Sequence, residues 1–401
     1  MTSSGWSPWR GVVGFGLVSL AADMVYEGAR SLTGPLLAAL GASALLVGLV
    51  SGAGEAAALV LRLVFGALAD RWGRYWTLTV VGYLLTAVCV PALAVTPFLG
   101  GAGLAVACVL ILAERTGKAV RSPAKSALLA RAATGVGLGR GFGVHKALDQ
   151  VGAVAGPLLV AVVAGLSGAL WPSFAVLAVP GAAAMVLLVW LRRRLEEPAT
   201  SSPVAGVPAQ PRPRLAQPRA PLPRTFWLFA ASAGAATAGL VSFGIIAYHL
   251  TVDRVVAVAL VPVVYAAAMG ASAVAAVVTG WSYERLQGRV LLVLPLLVAA
   301  VPALAFSDRL PLALAGVLLW GAAVGVQDST VKALVAELVP VGHRATAYGW
   351  FAAVQGSAAV AGGAMAGALY ARSVPLLVAA VAATQVLAVA LLVLTLRRVR
   401  A

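Results

Sequence analysis

Six carboxylates, Asp23, Glu27, Glu55, Glu114, Asp149 and Asp328, stand inside long apolar stretches of this 401-residue chain. Eight bases share those stretches: Arg30, Arg62, Arg115, Lys118, Arg121, Lys125, Lys146 and Lys332. A charge in a membrane span costs about 2.5–3.5 kcal/mol on insertion, so fourteen left unpaired would cost roughly 35–50 kcal/mol. A typical domain has only about 5–15 kcal/mol of net stability. These groups must be paired, hydrated in a cavity, or near a membrane edge. Carboxylates held in a low-dielectric pocket favour the neutral form and can exchange a proton. Asp23, Glu27, Glu55 and Asp149 are the candidate proton carriers, with Glu27 and Asp23 foremost.

Their spacing implies a shared interior. Asp23, Glu27 and Arg30 fall at i, i+4 and i+7, one face of a helix, and Glu55 and Arg62 are seven apart. Glu114, Lys118, Arg121 and Lys125 follow 0, 4, 7, 11; His145, Asp149, Gly152 and Gly156 repeat that spacing. Arg115, Lys118, Arg121 and Lys125, with Tyr26, Asp328 and Lys332, are the candidate substrate-binding groups. Tyr248, Tyr265, Tyr348 and Trp350 are further candidates for lining a path, although aromatics in spans more often pack or sit at the interface. His145 reads as a hydrogen-bonded edge residue more readily than a proton relay, and His249 as interfacial.

The elements that position them are membrane helices. Hydrophobic residues make up 61% of the chain and charged ones 10%, against a soluble norm of roughly 45–50% and 25%. Apolar stretches long enough to cross a core about 30 Å thick are predicted near 12–39, 45–68, 77–96, 101–130, 141–166, 171–191, 226–250, 256–280, 290–306, 311–337, 346–371 and 374–396. Of the 29 Lys and Arg, 18 fall in the segments on the side of the N-terminus; only Arg254, Arg309 and Arg372 fall in the opposite loops. That bias places both termini in the cytoplasm. The net charge of +16 then reflects topology and attraction to anionic lipid rather than a nucleic-acid partner.

Residues 195–225, rich in Pro, Ala and Arg, cannot bury a core and read as a cytoplasmic linker. They divide the chain into 1–194 and 226–401. The first span carries too much charge and begins too late for a cleaved signal peptide. Cys89 and Cys108 sit in separate apolar spans and read as free thiols. No GxxxxGK[ST] loop, zinc-ligand spacing or nucleophile–base set occurs, so no cofactor, metal or enzymatic activity is expected. The glycines of Gly135–Gly143 follow no strand and read as a flexible inner loop.

The segment Gly66–Arg74 (GALADRWGR) has an echo at Gly280–Arg289 (GWSYERLQGR). Each joins two spans and carries an acid (Asp70, Glu284), an Arg (Arg71, Arg285) and a closing Gly-Arg (Gly73-Arg74, Gly288-Arg289). Such a repeat reads as a latch between helix ends that breaks when two halves rock. The second copy has Glu for Asp and one extra residue before Gly288. Phe142-Gly143 and Asp149 are likewise echoed by Tyr348-Gly349 and Gln355, so the frame is duplicated while most charges stay in the first half.

With its GxxxDRxGR loop, two sets of six spans and long central linker, the chain resembles the major facilitator superfamily over essentially its whole length. Gly152, Gly156 and Pro157 match the front of the GxxxGP motif of that superfamily's antiporters; Leu159 and Val160 stand where further glycines are usual. Glu114–Ala130 and Gly139–Leu158 resemble a prokaryotic branch with GKGxRxPxRDAL and FGxHRxxDxxGAxxGPL segments, although Lys125-Ser126 replaces its Arg-Asp pair and Lys146 an Arg. The resemblance implies an all-α polytopic membrane protein of twelve transmembrane helices in two six-helix halves. It implies a monomeric secondary transporter of the bacterial cytoplasmic membrane, in contact with lipid, that works by alternating access on a small molecule. Proton-coupled export of a small organic molecule is the expected activity. Uptake or exchange of an organic anion or phosphate ester on the basic stripe is the alternative. A non-transporting sensor or lipid-handling protein is a third, less favoured, class.

Overall fold

The computed structural model describes residues 7–195, 222–340 and 343–400, apart from the side chains at 332, 333, 336, 345, 399 and 400. The linker thus falls almost wholly outside the described residues, as does the side chain of Lys332. The described chain is helical: α1 (Pro8–Ala39), α2 (Ala44–Trp72), α3 (Tyr75–Ala92), α4 (Gly103–Ala132), α5 (Leu138–Ser167), α6 (Trp171–Ala175), α7 (Ala178–Leu195), α8 (Arg224–Gly239), α9 (Phe243–Val252), α10 (Val261–Leu286), α11 (Val293–Ala305), α12 (Leu310–Ser329), α13 (Val331–Leu338), α14 (Arg344–Tyr370) and α15 (Val374–Arg400).

Ten segments among the described residues are long and apolar enough to cross a membrane. One of these, residues 258–305, holds both α10 and α11. Beyond the ten, α4 is as long as its neighbours but bears Glu114, Arg115, Lys118, Arg121 and Lys125. Together these make the twelve crossings expected. Helices α1, α3, α4, α5 and α7 pack on one another, as do α8, α10, α11, α12, α14 and α15. The two sets meet along α2–α14, α5–α10 and α1–α9.

Three expected continuous spans are broken. The sixth is split into α6 and α7, the tenth into α12 and α13 at Thr330, and the seventh into α8 and α9. At the last break Leu240 and Ser242 adopt extended backbone, and Trp320 donates its indole N–H to the Val241 carbonyl at 2.8 Å. Non-helical backbone at membrane depth survives only where protein or a hydrated cavity satisfies its polar groups. Here the break lines a cavity.

The two latch segments differ by one residue at their turn. Gly73 ends α2 in the left-handed conformation, with φ 65°. In the second copy the extra residue puts Gln287, not Gly288, at the positive angle, with φ 49° and ψ −144°. That region is nearly confined to glycine and costs other residues roughly 1–3 kcal/mol. Gln287→Gly is therefore expected to raise the thermal midpoint of the purified protein. A lowered midpoint would mean that Gln287 makes compensating contacts.

Candidate functional site

Tyr26 is the centre of the buried charges. Arg115 of α4 donates to its hydroxyl, as does Arg30 Nη1 at 3.3 Å. The Lys118 ammonium lies 3.7 Å from the ring centroid and the Arg115 guanidinium 4.5 Å. Such desolvated cation–π contacts contribute about 2 kcal/mol or more. Arg30 Nη2 donates to Glu55 Oε1 at 2.8 Å, and Arg115 lies 3.7 Å from the same oxygen. Glu55 is thus paired with Arg30 and Arg115 rather than with Arg62, its helical neighbour. Deeper in the first six crossings, Arg121 donates to Thr86 at 2.6 Å and lies over the Tyr83 ring; Thr86 donates to Glu114 at 3.3 Å. Lys125 donates to Ser19 at 2.9 Å. The stripe on α4 is therefore largely engaged within its own helical set.

Two acids face other elements. Tyr265 of α10 donates to Glu27 of α1 at 2.5 Å, joining the two sets of helices. The ring is fully buried and packs edge-on to Phe243 at 4.5 Å, with Trp320 at 6.1 Å. Asp23 of α1 and Asp149 of α5 interact electrostatically, and Lys146 reaches Asp149 at 2.9 Å. Sequence explains this approach: a Cβ on Gly152 would strike the Leu20 carbonyl, and one on Gly156 the Met24 backbone. The antiporter-type glycines, followed by Pro157 within the helix, are thus the seam that seats α5 on α1.

A cavity of about 150 Å³ lies between the two sets. Arg30, Ser51 and Glu55 line one wall; Thr237, Ser242, Trp320, Gln327 and Asp328 line the other. Gln327 and Gln355 both donate to Thr237 at 3.4 Å. The Gln327 Oε1 and Ser242 Oγ atoms are buried without a hydrogen-bond partner among the described residues, as is Arg62 Nε. Of the candidate substrate residues whose side chains are described, only Asp328 lines this cavity. Tyr26 and Arg115 line a smaller recess beside it, with Glu114.

The family model of the Major Facilitator Superfamily matches residues 15–362. The chain belongs to the major facilitator superfamily. It is a multi-pass membrane protein and a secondary transporter, not an enzyme. Uncharacterized proteins of Mycobacterium bovis and Mycobacterium tuberculosis are 49% identical to it over 390 residues, covering 96% of this chain and 93% of theirs. Its fold is similar to that of a variant of the nucleoside transporter NupG (TM-score 0.73, 13% identity, 96% and 99% of the two chains covered). It is also similar to a bacterial homolog of the human lysosomal transporter Spinster, in an inward-facing and occupied conformation (TM-score 0.69, 17% identity, 98% of each chain).

In this superfamily fold, several close backbone contacts between the two helical sets lie at the end away from the arginine-rich loops. A Cβ on Gly34 would strike the Gly244 carbonyl, and Gly48 and Gly363 each abut the other's carbonyl. Gly367 abuts Ala44 and Leu45. Toward the arginine-rich end, Gly139 and Gly143 on α5 and Gly280 on α10 face open space. Lys146 is 71% exposed there, while Asp149, one turn deeper, is 16% exposed. Close backbone contacts between the two sets thus lie on the outer side of the cavity.

The two repeated segments lie at the arginine-rich end. Asp70 accepts from Tyr75 at 3.1 Å, and Arg131 covers the Tyr75 ring. Among the described residues, Arg71, Arg74, Glu284, Arg285 and Arg289 form no ion pair, and Gly66 faces Pro123 of α4. His145 is buried with Nε2 unpartnered, whereas His249 bonds Asp253 at 2.6 Å near the outer end. Sequence reading missed Thr237, Ser242, Trp320 and Gln327. These are uncharged residues in apolar spans, and the one available signal was the run Thr237–Ser242, where Gly239 and Ser242 weaken the helix.

Proposed function

We propose that this transporter is a proton-coupled antiporter that exports a small organic molecule across the bacterial cytoplasmic membrane. In this reading the bundles 1–194 and 226–401, in a monomer, rock about the central cavity. The observation that carries it is the Tyr265–Glu27 hydrogen bond at 2.5 Å. A phenol donating to a carboxylate is a charge-assisted bond worth about 1.5–3 kcal/mol. It spans the two bundles and holds the outer side shut while the site is empty. A proton on Glu27 removes the charge and weakens the bond. Substrate seated on Trp320, which packs against Tyr265, disturbs Tyr265 from the cavity side. Either event frees the outer gate, and the two compete, which is the logic of exchange.

Asp23 and Asp149, between Glu27 and the arginine-rich end, would pass the proton between Glu27 and the cytoplasm. The latch segments would close that end in the opposite state. With an inward proton gradient, each proton crossing 100 mV supplies about 2.3 kcal/mol, roughly fiftyfold accumulation. The engagement of Arg121 and Lys125 with Thr86 and Ser19 weighs against the anion-binding alternative on α4.

The test is proton release from the purified protein in weakly buffered detergent on adding lipophilic cations, neutral drugs, zwitterions and organic anions in turn. Release is expected with the substrate class and none with the others. Proton uptake, confined to anions, would replace this reading with anion symport.

A further inference from the structure

Helix α9 belongs by chain order to the second set of helices, yet it packs mainly on the first. Its neighbours are α1 and α2, and its backbone contacts within its own set are few. A Cβ on Gly34 of α1 would strike the Gly244 carbonyl, and one on Gly244 would meet the Ser51 hydroxyl of α2. Ser51 lines the central cavity, as does Ser242, the residue before α9. The helix thus runs outward from the cavity wall. Its link to α8 is the break at residues 240–242, where the helical hydrogen-bond ladder is interrupted. When the two sets part, α9 must follow one of them.

Side chains at its outer end supply the missing attachment. Tyr370, the last residue of α14, donates to Asp253 Oδ2 at 2.7 Å, and the His249 imidazole meets the same oxygen at 2.6 Å. His249 is 2% exposed, with the Phe306 and Tyr370 rings edge-on to it at 5.4 and 5.8 Å. Its Nε2 is buried without a hydrogen-bond partner among the described residues. The ring proton therefore sits on Nδ1, where Asp253 accepts it. Hydrogen bonds to a carboxylate are roughly twice as strong as neutral ones. Helix α14 is itself seated on its own set, since a Cβ on Gly362 would strike the Ala238 carbonyl of α8. The cluster lines a groove on the outer face and not the central cavity.

We propose that Asp253 and Tyr370, braced by His249, are positioning residues that tie α9 to α14, so that the α1–α9 and α2–α14 seams part together. Without the tie α9 stays on α1 when the rest of its set moves, and the outer path remains blocked. The proposal rests on the rocking of the two sets, and on neither the direction of transport nor its coupling to protons.

The experiment measures two spin-label distances in the full-length protein without Cys89 and Cys108. One runs from Leu99 in the first set to Arg254, just past α9; the other runs from Leu99 to Arg309, at the start of α12. Both are recorded at acid and neutral pH and with Gly48→Leu. With the tie intact, the two distances are expected to lengthen together. In Tyr370→Phe, wherever the Arg309 distance lengthens, the Arg254 distance should keep a short population about tenfold larger than in the intact protein. Asp253→Ala should behave like Tyr370→Phe, whereas Asp253→Asn, which keeps an acceptor, should largely restore the joint movement. A purely structural role would lower the melting temperature of the variants without separating the two distances, and that result overturns the proposal. So does an Arg254 distance that already stays short in the intact protein while the Arg309 distance lengthens; the rocking reading survives both results. An Arg309 distance that never changes removes the rocking itself, and the proposal falls with it.

Discussion

Glu27→Gln is expected to leave the protein folded and able to bind substrate, yet unable to accumulate it against a gradient. Glutamine keeps the shape and can still accept from Tyr265, but the acceptor no longer carries a charge that a proton can cancel. The variant resembles the protonated carrier at every pH. Replacing a charge-assisted bond worth about 1.5–3 kcal/mol by a neutral one worth about 0.5–1.5 kcal/mol shifts the balance between closed and open outer states by roughly fivefold to tenfold. Downhill exchange of labelled substrate in proteoliposomes should therefore persist without dependence on pH, while gradient-driven accumulation disappears. Retained proton-driven accumulation would remove Glu27 from the coupling role and move attention to the Asp23–Asp149 pair.

The second large effect concerns the outer closure. Gly48 of α2 and Gly363 of α14 approach so closely that a Cβ on either meets the other's carbonyl oxygen. Overpacking of this kind costs about 1–3 kcal/mol, occasionally more. On the rocking-bundle reading this contact parts when the outer side opens, so the penalty falls on the closed state. Conformers of a two-state carrier differ by only a few kcal/mol. Gly48→Leu is thus expected to trap the carrier open to the outside and to abolish transport. Ser51, on the cavity wall, provides the probe. In a background without Cys89 and Cys108, Ser51→Cys should react with a membrane-impermeant thiol reagent from outside only when Gly48→Leu is present. A lower melting temperature with unchanged labelling would reduce the seam to ordinary packing.

Much of this architecture was legible in the chain because the membrane imposes simple rules. Length and apolarity located the crossings, and the distribution of arginine oriented them. Periodicity along α1 and α4 placed Asp23, Glu27 and Arg30, and the α4 stripe, on inward faces. What periodicity does not encode is which partner a charge meets. Glu55 and Arg62 share a face of α2, yet Glu55 turns to Arg30 and Arg115, which approach from α1 and α4. The bond from Tyr265 to Glu27 joins residues 238 positions apart, and only the packing of α10 on α1 and α5 creates it. The substrate wall was least legible. Thr237, Gln327 and Trp320 look like ordinary span residues until the break between α8 and α9 exposes the backbone they surround.

The central claim is that protonation of Glu27 releases the contact that keeps the outer side closed. Spin labels at Leu99 and Arg309, exposed loop positions at the outer ends of the two helical sets, measure that directly through their distance distribution. The account predicts a longer-distance population that grows on acidification in the otherwise wild-type protein, and that is present at all pH values in Glu27→Gln. A distribution that moves with pH identically in both proteins, or in neither, would contradict it.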